Sequence, residues 1–242
     1  MTESSAPANW FGACDRFSDP VGASRIATYI DLLKRIPPGR MIDLGAGHGI
    51  FSRLAADLGW DVVALDARDE RFPDDPRVEW VVGDVATVDL DGFDLVVCLG
   101  LWYHMTYEAQ VRLAQRSVPR MLIVDTHVAF DRPDRTNIAT LGELTKLDED
   151  TGRFYFEGDI QHVATASKGN DWSFWPTEES LFALLTRSGY DSVESYYPMV
   201  TRDRRFYIAR TFDDAQRREL DTLVAKFDSL SAPRSVPWQS TS

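Results

Sequence analysis

Apolar residues along the chain fall into two patterns, one with helical spacing and one of short unbroken runs. From Gly22 to Ile36, the apolar positions Ile26, Tyr29, Ile30, Leu33 and Ile36 recur three or four residues apart until Pro37, Pro38 and Gly39 stop them. This predicts a helix that feeds a strand. The runs "RMIDLG", "DVVALDA", "VEWVVGD", "DLVVCLG" and "MLIVDTH" follow in order. Each is short and rich in Val, Leu and Ile, as strands of a parallel sheet covered on both faces must be. Between the first two, Phe51, Leu54, Ala55 and Leu58 share one helical face that Gly59 ends, and a second helical pattern runs from about Glu108 to Ser117. The connection from Asp69 to Pro76 is Pro/Asp-rich and too short for a full helix, so that crossover is expected to be degenerate. The alternation predicts an α/β fold.

After His127 the pattern breaks, and residues 128–176 read as an insertion on the acceptor side with structure of its own, in which "RFYFEG" is a strand. A helix from Thr177 to Arg187 follows, capped by Thr177 with Ser180 and closed by Gly189. The last two strands, "DSVESYYP" and "RFYIART", are close enough to form an antiparallel hairpin at a sheet edge. Residues 213–242 read as a C-terminal helix, around Leu220, Leu223, Val224 and Phe227, and a tail. Residues 1–21 form an N-terminal arm whose Trp10, Phe11 and Phe17 imply that it packs somewhere. The whole chain, 1–242, is expected to be a single domain.

Composition narrows the class. With 44% hydrophobic and 26% charged residues and no run of about 18 apolar residues, the chain is expected to be soluble, with no membrane partner. The start "MTESSAPANW" lacks the features of a secretory signal, so a cytoplasmic location is expected. Of the two cysteines, Cys14 and Cys98, the second lies in an apolar run where a buried thiol is the usual state; neither a disulfide nor a zinc site is expected. The net charge of -12 works against phosphate-backbone partners and makes nucleic acid a minor hypothesis. Oligomeric state is open, a homodimer included.

The chemistry concentrates in "MIDLGAGHGI", where Gly45, Gly47 and Gly49 alternate between a strand and a helix. Residues without Cβ let the backbone turn tightly and approach a ligand, so a nucleotide-like ligand is expected over Gly45, Ala46 and Gly47. Dinucleotides use G-x-G-x-x-G in this setting. Here position 50 is Ile50, and Asp43 in the preceding strand would repel a pyrophosphate but attract an ammonium group. Asp66 ends the second strand, placed to accept from both hydroxyls of a ribose. Asp84 ends the third, where its carboxylate or the Val85 amide could meet an adenine. Three acids at successive strand ends favour S-adenosylmethionine over NAD.

With "IDLGAGHG", "ALDAR", "VVGDV" and "FDLVVCLGLWYH" in this order, the chain resembles class I S-adenosylmethionine-dependent methyltransferases over most of residues 22–212. The resemblance implies a Rossmann-like, mostly parallel seven-stranded sheet with a C-terminal antiparallel hairpin and the insertion after the fifth strand. It also implies that Asp43, Gly45, Gly47, Asp66 and Asp84 bind the cofactor, with Leu99 and Gly100 along its methionine and ribose portion.

Methyl transfer to a hydroxyl benefits from a base. Of four histidines, His48 lies in the glycine turn and His162 in the insertion, while His104 and His127 both fall at the carboxyl edge of the sheet, where open α/β sheets place ligands. His127 is the first choice for the acceptor site and His104 the second. Asp125 and His127 could also be a pair of metal ligands, but no third carboxylate stands out, and no metal is predicted. Phe154, Tyr155, Phe156, Trp172, Phe174 and Trp175 would either flank a sugar or aromatic ring or form the insertion's own core. The expected activity is O-methylation of a small hydroxylated metabolite or saccharide. The alternatives are a methyltransferase of the wobble uridine of transfer RNA, whose corresponding loop "LGLWYH" also resembles, a dinucleotide-dependent oxidoreductase, and a non-catalytic binding module.

Overall fold

The computed structural model describes residues 20–130, 141–158, 169–197 and 203–231. Its contacts divide the chain into two compact units, Met1–Thr211 and Phe212–Ser242. The second unit carries α5 (Asp214–Ser231), with Leu220, Leu223, Val224 and Phe227 at helical spacing along it. Residues 1–19 of the N-terminal arm, with its three aromatics and Cys14, lie outside the described residues.

The first unit is built on a seven-stranded sheet in the order β3-β2-β1-β4-β5-β10-β9. Its strands are β1 (Arg40–Leu44), β2 (Asp61–Asp66), β3 (Val78–Val82), β4 (Leu95–Leu99), β5 (Met121–His127), β9 (Ser192–Tyr196) and β10 (Arg204–Arg210). The first five are mutually parallel, and β10 runs antiparallel to both β5 and β9, which gives the expected edge hairpin. Order reverses between β1 and β4, the point at which such sheets open a crevice at their carboxyl edge.

Strand alternation sorts the core into two layers. Met41, Val97, Ile123 and Phe206 point to one face, where α1 (Pro20–Leu33) and α2 (Ile50–Asp57) cover them with Tyr29, Phe51 and Ala55. Ile42, Cys98, Val124 and Tyr207 point to the other, under α3 (Tyr107–Ser117) and α4 (Glu178–Ser188). Cys98 is a fully buried thiol. Both covering helices begin on a threonine: Thr106 accepts from the Ala109 amide and Thr177 from the Ser180 amide, while Gly189 ends α4 in a left-handed conformation. No regular element lies between Asp66 and Val78, as the Pro/Asp-rich sequence required.

The insertion holds more order than its sequence suggests. A second, antiparallel sheet joins β6 (Leu141–Leu147), β7 (Asp150–Phe156) and β8 (Trp172–Pro176) in the order β6-β7-β8. It is bolted to the segment after β4: the Phe174 amide donates to Met105 O at 2.9 Å, the Trp175 indole to Tyr103 O at 2.9 Å, and Gln110 Nε2 to Phe174 O at 2.6 Å. Phe174 and Trp175 are buried between the main body and the insertion: Phe174 packs edge-on to Tyr107 at 5.3 Å and to Phe154 at 5.6 Å, and Trp175 packs on Tyr155 at 5.6 Å.

Candidate functional site

The glycine turn leaves β1 for α2 and is tied to the end of β2 by its own backbone. The Gly45 and Ala46 amides both donate to Leu65 O, at 2.8 and 3.1 Å, and the Gly47 amide donates to Asp66 Oδ2 at 2.9 Å. Gly45 has φ 75°, and a Cβ there would lie 2.9 Å from Leu101 Cβ, so only glycine fits. Gly49 serves packing: its Cβ would come within 2.2 Å of the Trp80 ring. It thus does for helix and sheet what a third glycine does in a dinucleotide fingerprint.

Over this turn lies a cavity of about 1100 Å³, walled by the segments that follow β1, β2, β3 and β4. That is slightly above the usual range for a single small ligand, about 300–1,000 Å³, and leaves room for a cofactor and an acceptor together. Gly45, Ala46, Gly47, Asp66, Asp84 and Val85 all line it, as do Leu99 and Gly100. Asp66 Oδ1 accepts from the Arg68 amide at 3.1 Å, with Arg71 Nη2 standing 3.5 Å away. Asp84 braces its own loop through the Ala86 amide at 2.8 Å.

Asp43 departs from its expected place beside a ligand. It is 2% exposed and does not line the cavity, because alternation turns it with Met41 toward α2, where Ser52 Oγ donates to Oδ2 at 2.6 Å. Burial pushes its carboxyl up to about 6, with the Ser52 hydrogen bond opposing, Asp66 adding to the rise and Arg25 opposing it. It can act on a ligand through its field, not by contact.

The same face carries Asp125, fully buried on β5. Arg25 of α1 reaches its Oδ2 at 2.6 Å, and Arg204 of β10 holds both oxygens through Nε at 2.7 Å and Nη2 at 2.8 Å. Burial alone would raise the Asp125 carboxyl; the two guanidinium groups outweigh it and hold the group below its ordinary range. Two cations on one carboxylate leave a surplus positive charge on the cavity floor, where both arginines line the wall and both Nη2 atoms point at Gly100.

The two candidate bases divide. His127 has both ring nitrogens engaged: Nδ1 faces Asp203 Oδ2 at 3.1 Å, and Nε2 accepts from Arg204 Nη1 at 3.0 Å. Its ring stacks on Trp175 at 4.8 Å, and it does not line the cavity. Burial lowers its pKa, with Asp203 opposing and the Arg204 charge adding, so the imidazole is held neutral. The first-choice base thus packs behind the cavity lining, with Asp125 held by Arg25 and Arg204 and His127 by Arg204 and Asp203. His104 does line the cavity, at the end of the short 3₁₀ turn Trp102–His104. Its Nδ1 lies 2.9 and 3.0 Å from the two oxygens of Glu157, a fully buried acid that also accepts from Ser173 Oγ at 2.6 Å. Nε2 has no hydrogen-bond partner among the described residues. Tyr103 packs between the two imidazoles, 4.3 Å from His104 and 4.7 Å from His127.

His48 lines the cavity, and His162 lies outside the described residues. Among the described residues no group of three or more His, Cys, Asp or Glu is arranged to hold a metal, and no helix is long and apolar enough to cross a membrane. Sequence reasoning missed Arg25, Arg204, Glu157 and Ser173. An unpaired Asp in the apolar run "MLIVDTH" was a signal for a buried cation; nothing local marks Glu157.

Residues 22–195 match the family described as methyltransferase domain. Among solved structures, the chain is similar to the N-terminal domain of EvdMO1 with SAH bound, at 20% identity and a TM-score of 0.59, covering 80% of this chain and 82% of that one. It is also similar to the glycopeptide N-methyltransferase MtfA complexed with S-adenosyl-L-homocysteine, at 17% identity and 0.52, covering 77% and 86%. A third is the Burkholderia thailandensis 1,6-didemethyltoxoflavin-N1-methyltransferase, with bound 1,6-didemethyltoxoflavin and S-adenosylhomocysteine, at 15% identity and 0.50, covering 84% and 83%. No curated protein matches the sequence significantly.

Proposed function

The chain belongs to the methyltransferase-domain family, and we propose that it uses S-adenosylmethionine to methylate a small hydroxylated metabolite or saccharide, with His104 as general base. The residues present suit that cofactor. The bare backbone at Gly45 and Gly100 leaves space where side chains would intrude, and the Asp66 carboxylate is an acceptor for ribose hydroxyls. The surplus charge of Arg25 and Arg204 suits the carboxylate of a methionine moiety, and the negative field of buried Asp43 suits its cationic groups. When bound, the cofactor supplies a sulfonium methyl carbon whose C–S bond breaks with its electron pair returning to sulfur.

The protein contributes position and a proton acceptor. Holding the acceptor against the His104 wall supplies alignment, and Nε2 takes the hydroxyl proton as the oxygen bonds to carbon. Tyr103, Met105 and Leu101 line the same cavity, and Tyr103 packs against the His104 ring at 4.3 Å. The observation that carries this reading is His104 on the cavity wall with Nδ1 anchored and Nε2 open. The deficit of basic residues, 26 against 38 acidic, favours a small acceptor over transfer RNA.

A panel of phenols, monosaccharides and primary amines, scored by S-adenosylhomocysteine release, tests it. Turnover is expected with a hydroxyl acceptor, and His104→Gln should slow it about 100-fold or more. Turnover confined to amines, or an unaltered rate in the variant, would refute the assignment.

A further inference from the structure

The acid behind His104 has no counterpart in the sequence reading. Glu157 follows β7 and is fully buried, yet it sits 2.9–3.0 Å from His104 Nδ1, and Ser173 on the adjacent strand donates to its Oε1 at 2.6 Å. A buried carboxylate is costly unless donors converge on it, and here two side chains do. Because a carboxylate only accepts, its bond to His104 places the ring proton on Nδ1 and the lone pair on Nε2, the nitrogen left to the cavity. The backbone holds the acid there independently: the Glu157 amide donates to Asp171 O at 2.7 Å, and the small sheet is anchored to Met105 and Tyr103 on either side of His104.

We propose that Glu157, held by Ser173, is a positioning residue that fixes the tautomer and ring orientation of His104 and stabilises the imidazolium formed when Nε2 accepts the acceptor proton. The proton moves from the acceptor hydroxyl to Nε2; Glu157 stays ionised throughout, and the Nδ1 proton remains in the bond between ring and carboxylate. The three-stranded sheet thereby becomes part of the catalytic apparatus as the element that delivers the acid. This rests on His104 being the base, so one readout is needed that does not require turnover.

That readout is ¹⁵N spectroscopy of the histidine rings, with only four to assign. In the full-length protein without acceptor, His104 is expected as the Nδ1–H tautomer. In Glu157→Gln, Ser173 keeps one side of the amide and turns its NH₂ toward Nδ1, so the proton moves to Nε2. With the best acceptor of the panel, the same variant should lose about 100-fold or more in kcat, with KM and S-adenosylhomocysteine affinity changed less than about twofold. Glu157→Asp should recover part of the loss. Ser173→Ala, which keeps the carboxylate, should cost several-fold in kcat and guards against a Glu157→Gln protein that does not fold. An unshifted tautomer in a folded Glu157→Gln, or a loss in KM alone, overturns the role of Glu157. A shifted tautomer with full turnover in His104→Gln leaves the tautomer assignment standing and removes His104 as base.

Discussion

Asp43 shows how a single residue can be chemically legible and geometrically misplaced. Its acid character follows from the sequence, but alternation on β1 turns it into the sheet–helix layer rather than the cavity. Its carboxyl stands at about 6 in the folded protein against 3.8 as a free side chain. Between those values the folded state keeps a proton the unfolded chain has lost, so stability falls as pH rises through the window, and the full penalty applies above about 6. Asp43→Asn should therefore be more stable than the parent by up to about 3 kcal/mol at pH 7.5, with the difference shrinking toward zero near pH 4. Urea denaturation at the two pH values checks this, and a difference independent of pH would contradict it. The choice between His104 and His127 was equally closed to sequence, since both lie at the carboxyl edge. Only the partners decide: Arg204 and Asp203, 77 and 76 residues downstream, occupy His127, while Glu157, 53 residues downstream, leaves one nitrogen of His104 open.

Among the elements, those with a strong period were the readable ones. All five parallel strands, α2, α3 and α4 with its threonine cap, and the final hairpin stand where patterning placed them. The insertion yielded only β7. β6, "LGELTKL", carries too few apolar residues to signal a strand, and β8, "WSFWP", is five residues long and ends in a proline tolerated at the end of an edge strand. Their pairing is set by close approach across β7, where Gly152 opposes Pro176. A Cβ on Gly152 would lie 2.3 Å from Trp175 O and 2.4 Å from the Phe174 ring. Gly152→Ala must therefore spread β7 from β8 and pull Glu157 and Ser173 away from His104. The expected result is a lower thermal midpoint and a loss of turnover, with S-adenosylhomocysteine affinity within about twofold of the parent, because the cofactor residues stand on the other sheet. A loss of cofactor affinity equal to the loss of turnover would show that the small sheet is not a separate, acceptor-side device.

At the scale of the molecule, the charge distribution inverts between surface and cavity. The chain as a whole carries -12, yet Arg25, Arg53, Arg68, Arg71 and Arg204 line a cavity whose acids are Asp66 and Asp84. Arg25 and Arg204 are tied to Asp125, Arg53 to Asp75, and Arg71 to Asp66, so these cations are held in place rather than free to collapse onto the ligand. Bulk charge pointed away from nucleic acid but could not reveal this cluster of arginines, because Arg25 and Arg204 stand 100 and 79 residues in sequence from the Asp125 that gathers them. What spacing did reveal was that the glycine turn, Asp66 and Asp84 meet: the strand order brings them together around one cavity, with Asp43 buried behind it.

The central claim, that this cavity binds S-adenosylmethionine through the acid that ends β2, is tested most directly by titration calorimetry of the parent and Asp66→Ala with S-adenosylhomocysteine and with NAD. The account predicts one site for S-adenosylhomocysteine, no heat of binding with NAD, and an affinity about tenfold or more weaker in the variant through loss of one or two charge-assisted hydrogen bonds. Binding of NAD in preference, or an unchanged affinity in a folded Asp66→Ala protein, would contradict it.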